Sequence, residues 1–395
     1  MAGPLAGYRI LDLTGMIAGP LATMLLGDQG ADVIKLEVPG VGDHTRAAGN
    51  RSGGLSASFL NNNRNKRSIS LDLKAEAGRA LFFRLAGAAD VVVQNFRPGV
   101  VERLGVGYDE VRKVAPGIIY VSMSGFGERG PYVAKPVYDP IVQAVSGLAS
   151  IQGGSDQNRP RLVRTIVPDK VTALTAAQAI TAALLARERT GQGQHVRLSM
   201  LDSVLQFLWS SDMGGQTFVG KEVSEQRAAS YIDLIYETRD GHMSVAVMTD
   251  AQWAALVRAL DRPDWLEDER FSTPERRDLN IDARLELTQS VLATDSTAAW
   301  LEKLEAAGVP CAPVLRRREL AGHPQIVASE SLVESEHSVA GRLRQARHAA
   351  RFEATPVETS RGAPRLGEHT AEVLAELGLD EGEIRALRQA GVIGG

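Results

Sequence analysis

Asp169 combines a reactive side chain with a marked position, because it follows Pro168 at the start of the apolar run IVPDKVTALTAAQAITAALL. The run predicts a buried helix. An aspartate at a helix start can cap the helix by accepting a hydrogen bond from an unpaired backbone N–H of the first turn. A helix N-terminus also favours an ionised carboxylate, and such a carboxylate is a competent covalent nucleophile. Taken alone, the position favours capping and leaves nucleophilic chemistry open.

A second candidate motif is SGFGERG, in which Gly125, Gly127 and Gly130 have the G-x-G-x-x-G spacing of dinucleotide-binding loops and follow a predicted strand. In such loops the motif must open a helix, so that the pyrophosphate meets the helix N-terminus. Here Pro131 and Pro136 follow instead. The prolines disfavour a nucleotide-dependent oxidoreductase, which stays open as an alternative. We expect a flexible turn that lets backbone amides approach a ligand.

The elements that must position these residues alternate short β-branched runs with glycine-terminated helical segments, which is typical of parallel βαβ units. We therefore predict an α/β fold, with a large domain built on a doubly wound parallel sheet and a smaller α+β domain. Doubly wound sheets bind ligands beyond the carboxyl ends of their strands. The predicted strand ends carry TGMIAGP, VPGVGD, NFRPG and SGFGERG, so a ligand site is expected there.

Domain boundaries follow from a polar stretch of small residues that interrupts the alternation. We predict the first part of the large domain over residues 1–210, a linker or active-site loop over 211–230, the small α+β domain over 231–325 and a return to the large domain over 326–395. The last segment should form two helices. Asp380 and Glu383 have the spacing of a capping box at the start of the second helix.

Composition and charge exclude several function classes. Lys and Arg total 44 against 48 Asp and Glu, a net charge of −4, so no global field favours a nucleic acid. The single Cys311 excludes a disulfide framework, and the seven histidines show no zinc-binding spacing; we expect no metal and no permanently bound cofactor. The sequence shows neither a signal peptide nor an apolar run of membrane-spanning length, which predicts a cytoplasmic protein without a membrane partner.

Several segments, read together, resemble the family III CoA-transferases, of the formyl-CoA transferase and carnitine-CoA transferase (CaiB/BaiF) type. They are GYRILDLT, AGPLATMLLGDQGADVIKLE, NRNKRSISLDLK, ADVVVQNFRPGVVERLG, YVSMSGFGERGP, the Asp169 helix with TGQGQHV, and PRLGEHTAEVLAELG. They run in family order from residue 5 to about residue 391. The resemblance implies an interlocked homodimer, in which each subunit has a Rossmann-like large domain and a smaller domain.

The resemblance also reverses the preference for capping, because the family's nucleophile is the aspartate at the position of Asp169. It implies that Asp169 attacks an acyl-CoA to give a mixed anhydride and CoA thiolate, which returns to form an aspartyl-CoA thioester. A carboxylic acid acceptor then takes the CoA without ATP. By the family pattern, the residues that contact coenzyme A are Met16, near the reacting sulfur, and Leu71, Lys74, Asn95, Phe96, Arg103 and Leu104.

Two positions depart from related family patterns. Racemases of the family have a histidine before the aspartate where this chain has Tyr138 and Asp139. A tyrosine is a poor base near neutral pH, which favours a transferase and leaves Tyr138 to line the acyl or CoA-thiol pocket. Oxalate-using members have a glutamine at the position of Ile17, so we expect an acceptor with hydrocarbon character. An acyl-CoA racemase or isomerase and a non-catalytic CoA-binding protein stay open as alternatives.

Further polar residues have two interpretations each. Basic residues that could contact phosphate, or could equally be solvated surface, are Arg97 and the NRNKR cluster (Arg64, Lys66 and Arg67). The loop SEQRAAS, at residues 224–230, corresponds to a mobile loop over the site in oxalate-using members. We hypothesise that Gln226 and Arg227 meet a second carboxylate of the acceptor.

Overall fold

The computed structural model describes residues 3–357 and 361–394 and separates into two compact units. One unit holds the described residues up to 229 and from 330 onward, and the other holds residues 230–329. In chain order, the strands are β1 (Arg9–Asp12), β2 (Asp32–Glu37), β3 (Arg51–Ser52), β4 (Leu55–Ser56), β5 (Lys66–Leu71), β6 (Val91–Gln94), β7 (Ile119–Ser124), β8 (Gln194–Ser199), β9 (Ile235–Glu237), β10 (His242–Val245), β11 (Cys311–Pro313), β12 (Leu332–His337), β13 (Gly341–Ala346) and β14 (Ile393–Gly394).

The α-helices connect these strands and cover the sheets. They are α1 (Ala18–Asp28), α2 (Ala57–Asn62), α3 (Glu76–Gly87), α4 (Val100–Leu104), α5 (Tyr108–Val114), α6 (Asp139–Val145), α7 (Leu148–Ile151), α8 (Val167–Thr190), α9 (Met200–Trp209), α10 (Asp250–Ala259), α11 (Asp264–Glu267), α12 (Pro274–Leu279), α13 (Ile281–Leu292), α14 (Thr297–Ala306), α15 (Pro324–Ala328), α16 (Thr370–Glu376) and α17 (Glu381–Gln389). Short 3-10 helices lie at His44–Ala47, Gly214–Gln216, Glu269–Phe271 and Leu320–Gly322.

The main sheet of the first unit has the strand order β14-β5-β2-β1-β6-β7-β8. The six neighbouring strands from β5 to β8 in this order, which include β1 and β2, pair in parallel, whereas β14 is antiparallel to β5. If the six parallel strands are numbered one to six along the chain, their order is 3-2-1-4-5-6, the order of doubly wound dinucleotide-binding folds. The parallel sheet predicted from the sequence is confirmed, and its switch point lies between β1 and β6.

Helices cover both faces of this sheet, which explains why its central strands are apolar on both sides. On one face Leu11 and Val92 pack with α3, and on the other Ile10 and Val93 pack with α1 and α8. Helices α1 and α8 also contact each other, since α8 offers small side chains such as Ala173. The end of β1 and the start of α8 are thereby held within one packed layer.

A buried ionic cluster joins the carboxyl ends of β1 and β2 to the first residue of β5. Lys66 Nζ lies 2.8 Å from Asp12 Oδ2, Lys35 Nζ lies 3.0 Å from Asp43 Oδ2, and each of the four side chains is at most 1% exposed. Burial alone would raise the pKa of Asp12, but Lys66 and Lys35 outweigh it and hold that pKa below its usual range. The cluster therefore holds full charges without solvent.

The NRNKR cluster is neither a phosphate site nor solvated surface, and both interpretations of it were wrong. Arg64 pairs with Asp28 at 2.7 Å, and Lys66 belongs to the buried ionic cluster. Arg67 binds Asp32 at 2.7 Å and also Glu372 and Glu376. The acids come from distant parts of the chain, which is why the sequence did not reveal them.

The second unit is a small α+β structure. Strands β9, β10 and β11 form an antiparallel sheet, and Trp253, Trp265 and Trp300 of its helices pack in one core with Met243. Cys311 is half-buried at the edge of this core. In the first unit, the capping box of Asp380 and Glu383 is present at the start of α17, as the sequence predicted.

The buried ionic cluster yields a stability prediction. Lys66→Met removes one partner of a buried pair and leaves Asp12 incompletely neutralised, which should lower the free energy of unfolding by about 3–5 kcal/mol. Urea denaturation would measure the change. Lys113→Met, which breaks an exposed pair with Glu110, is the matched control and should change stability little. Equal effects of the two substitutions would contradict the importance of the buried pair.

Candidate active site

A cavity of about 630 Å³ opens at the carboxyl ends of β1, β6 and β7, at the switch point of the sheet. It brings together six of the nine site residues predicted in the sequence analysis, namely Met16, Asn95, Phe96, Arg103, Tyr138 and Asp169. The doubly wound topology explains this grouping, because the loops after β1 and β6 diverge to opposite faces of the sheet and leave a crevice between them.

The other three predicted site residues do not line the cavity. Leu71 is 2% exposed and pairs with Ile393 of β14, so its side chain belongs to the core. Leu104 is partly buried and packs against the same core. Lys74 is exposed beyond β5, where its backbone N–H donates to Asp72 at 2.9 Å. Direct contact of these side chains with a ligand in this cavity has no geometric support.

Asp169 is not the cap of its helix. Helix α8 begins at Val167, its N-cap position is Ile166, and no side-chain cap hydrogen bond is found there among the described residues. Asp169 is the third helical residue and lines the cavity. Pro168 fits the first turn because no helical partner is needed for an N–H there. The capping interpretation was therefore wrong, and the carboxylate stays available.

The electrostatics of Asp169 are set by burial and by two neighbours. Burial, reinforced by the negative charge of Asp139, raises the pKa of Asp169 to about 6, and the backbone N–H of Ala18 acts in the opposite direction. Burial also raises the pKa of Asp139, which is 6% exposed and accepts a hydrogen bond from Gln143 Nε2 at 2.6 Å. Two carboxylates thus share one poorly solvated site, and Asp169 is ionised at neutral pH.

The cavity has an apolar part and a basic part. Ile17, Val137 and Met200 contribute hydrocarbon surface, while Arg97, Arg103 and Lys135 contribute positive charge. Arg97, Arg103 and Lys135 are exposed, so their charges are available to an anionic ligand. Such a cavity fits an elongated ligand with phosphates at one end and a reactive group beside a carboxylate.

The glycine motif lacks the structure that dinucleotide binding needs. Strand β7 ends at Ser124, and the next helix along the chain is α6, which begins at Asp139. Gly125 is instead required by packing, because a Cβ there would lie 2.2 Å from Val137. The motif is a turn in the cavity wall, which argues against a nucleotide-dependent oxidoreductase.

The loop at residues 224–230 does not line this cavity. Gln226 Oε1 accepts from the N–H of Gly215 at 2.9 Å, and Gln226 Nε2 donates to the carbonyl of Asp212 at 3.0 Å. The amide therefore holds its own loop together. Backbone pairing of Arg227 with Ser155 fixes the loop against a neighbouring segment.

Sequence reasoning missed several features of the site. Asp139 was considered only as the neighbour of Tyr138, although an acid in front of Pro140 at a helix start was a usable signal. The approach of the Ala18 N–H to Asp169 had no sequence signal, since it joins two helices far apart in the chain. Within residues 3–357 and 361–394, no group of three or more His, Cys, Asp or Glu side chains could hold a metal ion. No helix of the same ranges is long and apolar enough to cross a bilayer.

Comparison with known proteins gives one consistent result. The model of CoA-transferase family III matches residues 5–370. The chain is 34% identical to the succinyl-CoA:glutarate CoA-transferase of Mus musculus, over 99% of this chain and 90% of that protein. It is 32% identical to a formyl-CoA:oxalate CoA-transferase of Escherichia coli, over 98% and 99% of the two chains. A crystal structure of a CaiB/BaiF family protein from Brucella suis superimposes with a TM-score of 0.85 at 31% identity, covering 95% of this chain and all of that one.

The raised pKa of Asp169 predicts a pH-dependent stability change. Because the folded state favours the protonated acid, wild-type stability should fall as the pH rises from the ordinary pKa of 3.8 through about 6. Asp169→Asn removes this ionisation and should raise the free energy of unfolding by about 1–3 kcal/mol at pH 8. Urea denaturation at pH 4 should show almost no difference. An equal difference at both pH values would contradict the pKa.

Proposed function

The chain belongs to CoA-transferase family III, as its sequence resemblance predicted, and is an enzyme of that kind; from this premise we propose that Asp169 carries coenzyme A covalently between an acyl-CoA donor and a carboxylic acid acceptor. The observation that best supports the proposal is the position of Asp169 in the lining of a cavity that also contains Arg97, Arg103 and Lys135; its pKa of about 6 favours the ionised form at neutral pH. The aspartate is thus poorly solvated and charged, as a nucleophile should be.

The proposed reaction has four steps in which every bond is accounted for. Asp169 attacks the thioester carbonyl, the C–S bond breaks, and CoA leaves as a thiolate from a mixed anhydride. The thiolate attacks the Asp169 carbonyl of the anhydride, which releases the donor acid and leaves an aspartyl-CoA thioester. The acceptor carboxylate then attacks this thioester, whose C–S bond breaks to release CoA thiolate and leave a second anhydride. The thiolate attacks the acceptor's carbonyl in this anhydride, which forms the new acyl-CoA and releases Asp169 as a carboxylate.

Residues around Asp169 would support these steps. The N–H of Ala18 can donate to the oxygen that gains negative charge at the aspartyl carbonyl. Met16 and Tyr138 line the cavity near Asp169 and would contact the thiol end of CoA. Arg103 and Phe96 are proposed to bind its phosphates and adenine. No permanently bound cofactor takes part, and CoA thioesters are substrates.

The acceptor is proposed to be a dicarboxylic acid with a hydrocarbon spacer. Ile17 presents an apolar side chain to the cavity beside Asp169, and a mammalian relative is named for the use of succinyl-CoA and glutarate. Other relatives are named for oxalate, whose two carboxylates have no hydrocarbon between them to pack against Ile17. We further propose a cytoplasmic location.

The function can be tested by incubating the protein with succinyl-CoA and a panel of carboxylic acids and analysing all CoA esters by mass spectrometry. We expect CoA to move to at least one dicarboxylate without ATP, and Asp169→Ala to abolish this transfer. Entry of deuterium from heavy water at the α-carbon, without transfer to any acid, would instead identify an acyl-CoA racemase or isomerase. Binding of CoA without either reaction would identify a non-catalytic CoA-binding protein.

Ile17 provides a prediction about acceptor choice. Ile17→Gln replaces apolar surface beside Asp169 with an amide that can donate to a small dianion, so kcat/KM for oxalate should rise relative to glutarate. We expect a change of about tenfold in this ratio, the size of one hydrogen bond to a charged group. Val137→Leu, which alters the apolar wall without adding a donor, is the control. An unchanged ratio in Ile17→Gln would remove Ile17 as a determinant of acceptor choice.

The family resemblance also leads us to propose an interlocked homodimer. Large apolar side chains that a monomer would leave in water lie on α8 and α9, namely Leu174, Leu185, Phe207 and Trp209, which are 49–60% exposed. Light scattering coupled to gel filtration should give twice the mass of 42.4 kDa, and Leu185→Glu should shift the population toward monomer. A wild-type mass of one chain at micromolar concentration would contradict the dimer.

A further inference from the structure

We propose that Asn95 is a positioning residue for Asp169: it holds the turn between β1 and α1 so that the first backbone N–H of α1 meets the Asp169 carboxylate. The inference rests on the proposed function, because it concerns the same nucleophile. It gives Asn95 a role different from the coenzyme A contact that the family pattern implies for this position.

The side chain of Asn95 forms two hydrogen bonds with a single residue of the turn, Gly15. Asn95 Oδ1 accepts from the N–H of Gly15 at 3.0 Å, and Asn95 Nδ2 donates to the carbonyl of Gly15 at 2.8 Å. A ligand contact through either atom would have to compete with these bonds. The side chain is therefore already oriented by the protein.

The turn that Asn95 grips has an unfavourable backbone conformation. Met16 has φ of 68°, the left-handed region that non-glycine residues seldom adopt. Such a conformation costs free energy and persists only where the surroundings determine it fully. Asp43 helps to hold this conformation, because its carboxylate accepts a hydrogen bond from the N–H of Met16 at 3.3 Å.

Side chains from other parts of the chain also hold Thr14, the residue before Gly15. Asp12 Oδ1 accepts the N–H of Thr14 at 2.9 Å, and Lys35 Nζ donates to the Thr14 carbonyl at 2.7 Å. Every backbone polar group from the Thr14 N–H to the Met16 N–H is thus bound by a side chain. Asp12, Lys35 and Asp43 belong to the buried ionic cluster, whereas Asn95 belongs to the cavity wall. Asn95 can therefore be changed without breaking an ion pair.

The turn leads directly into the contact with Asp169. Helix α1 begins at Ala18 and has no side-chain cap hydrogen bond among the described residues, so the N–H of Ala18 is one of the donors that a helix leaves unpaired. This N–H interacts with the Asp169 carboxylate and acts to lower its pKa, and both residues line the same cavity. Gly19 packs so closely on the turn that a Cβ there would lie 2.3 Å from Thr14. Movement of the turn would consequently move the start of α1.

The test measures isotope exchange between succinyl-CoA and labelled succinate from pH 5 to 8.5 in wild type, Asn95→Ala and the milder Asn95→Ser. Loss of the Ala18 contact should make ionised Asp169 less favourable, so the rise of the exchange rate with pH should move upward by about one pH unit in Asn95→Ala. The exchange rate of Asn95→Ala should therefore be much lower than that of wild type near pH 6 and only slightly lower near pH 8. The Kd of CoA should not change. Free succinate titrates identically in every assay, so differences between variants report on the protein.

Two control variants test the interpretation. Asp139→Asn removes a neighbouring negative charge and should move the rise of the exchange rate, the acidic limb of the pH profile, to lower pH. Asn158→Ala removes a similar amide-to-carbonyl bond outside the cavity and should leave this limb in place. An equal loss of rate at all pH values in both Asn95 variants, or a weaker Kd for CoA with an unmoved limb, would overturn the inference. Absence of exchange in wild type, with no transfer to any acid, would overturn the proposed function and this inference with it.

Discussion

The shape of the candidate site depends on ion pairs buried directly beneath it. Lys35, Lys66, Asp12 and Asp43 are almost completely removed from water, which is tolerable only because each charge faces an opposite one and further hydrogen bonds. Replacing such a group with apolar residues of the same shape need not destabilise a protein, so stability alone does not explain the cluster. Its members also form hydrogen bonds with the backbone of the turn after β1. These directional bonds hold the turn in its strained conformation, which apolar packing cannot do.

Asp169 is held in a balance between effects of opposite sign. Burial and Asp139 disfavour its negative charge, whereas the N–H of Ala18 favours it. A pKa of about 6 leaves the carboxylate ionised at neutral pH and yet less stabilised than in water, which suits nucleophilic attack. The doubly wound sheet makes this possible, since it gathers the starts of α1 and α8 on one face and opens a crevice at the switch point beside them.

The fold was predictable wherever local patterns determine it. The continuous apolar run of β6 and the glycine endings of the early helices indicated a parallel sheet, because strands buried on both faces need no alternation. An acid behind a proline at a helix start singled out Asp169, but that position alone favoured capping, and only the family resemblance predicted a nucleophile; its helix begins two residues earlier than Asp169.

The remaining features depend on contacts between distant residues, which no local pattern encodes. The sequence analysis did not identify the ion pair of Lys35 with Asp43, and Asn95 lies 80 residues from the Gly15 that it holds. The most direct test of the central claim is a mass spectrum of the Asp169 peptide after incubation with succinyl-CoA and quenching with hydroxylamine. The account predicts an aspartyl hydroxamate at Asp169 that forms only when acyl-CoA is present. CoA transfer without any modification of Asp169, or with the hydroxamate on another residue, would contradict it.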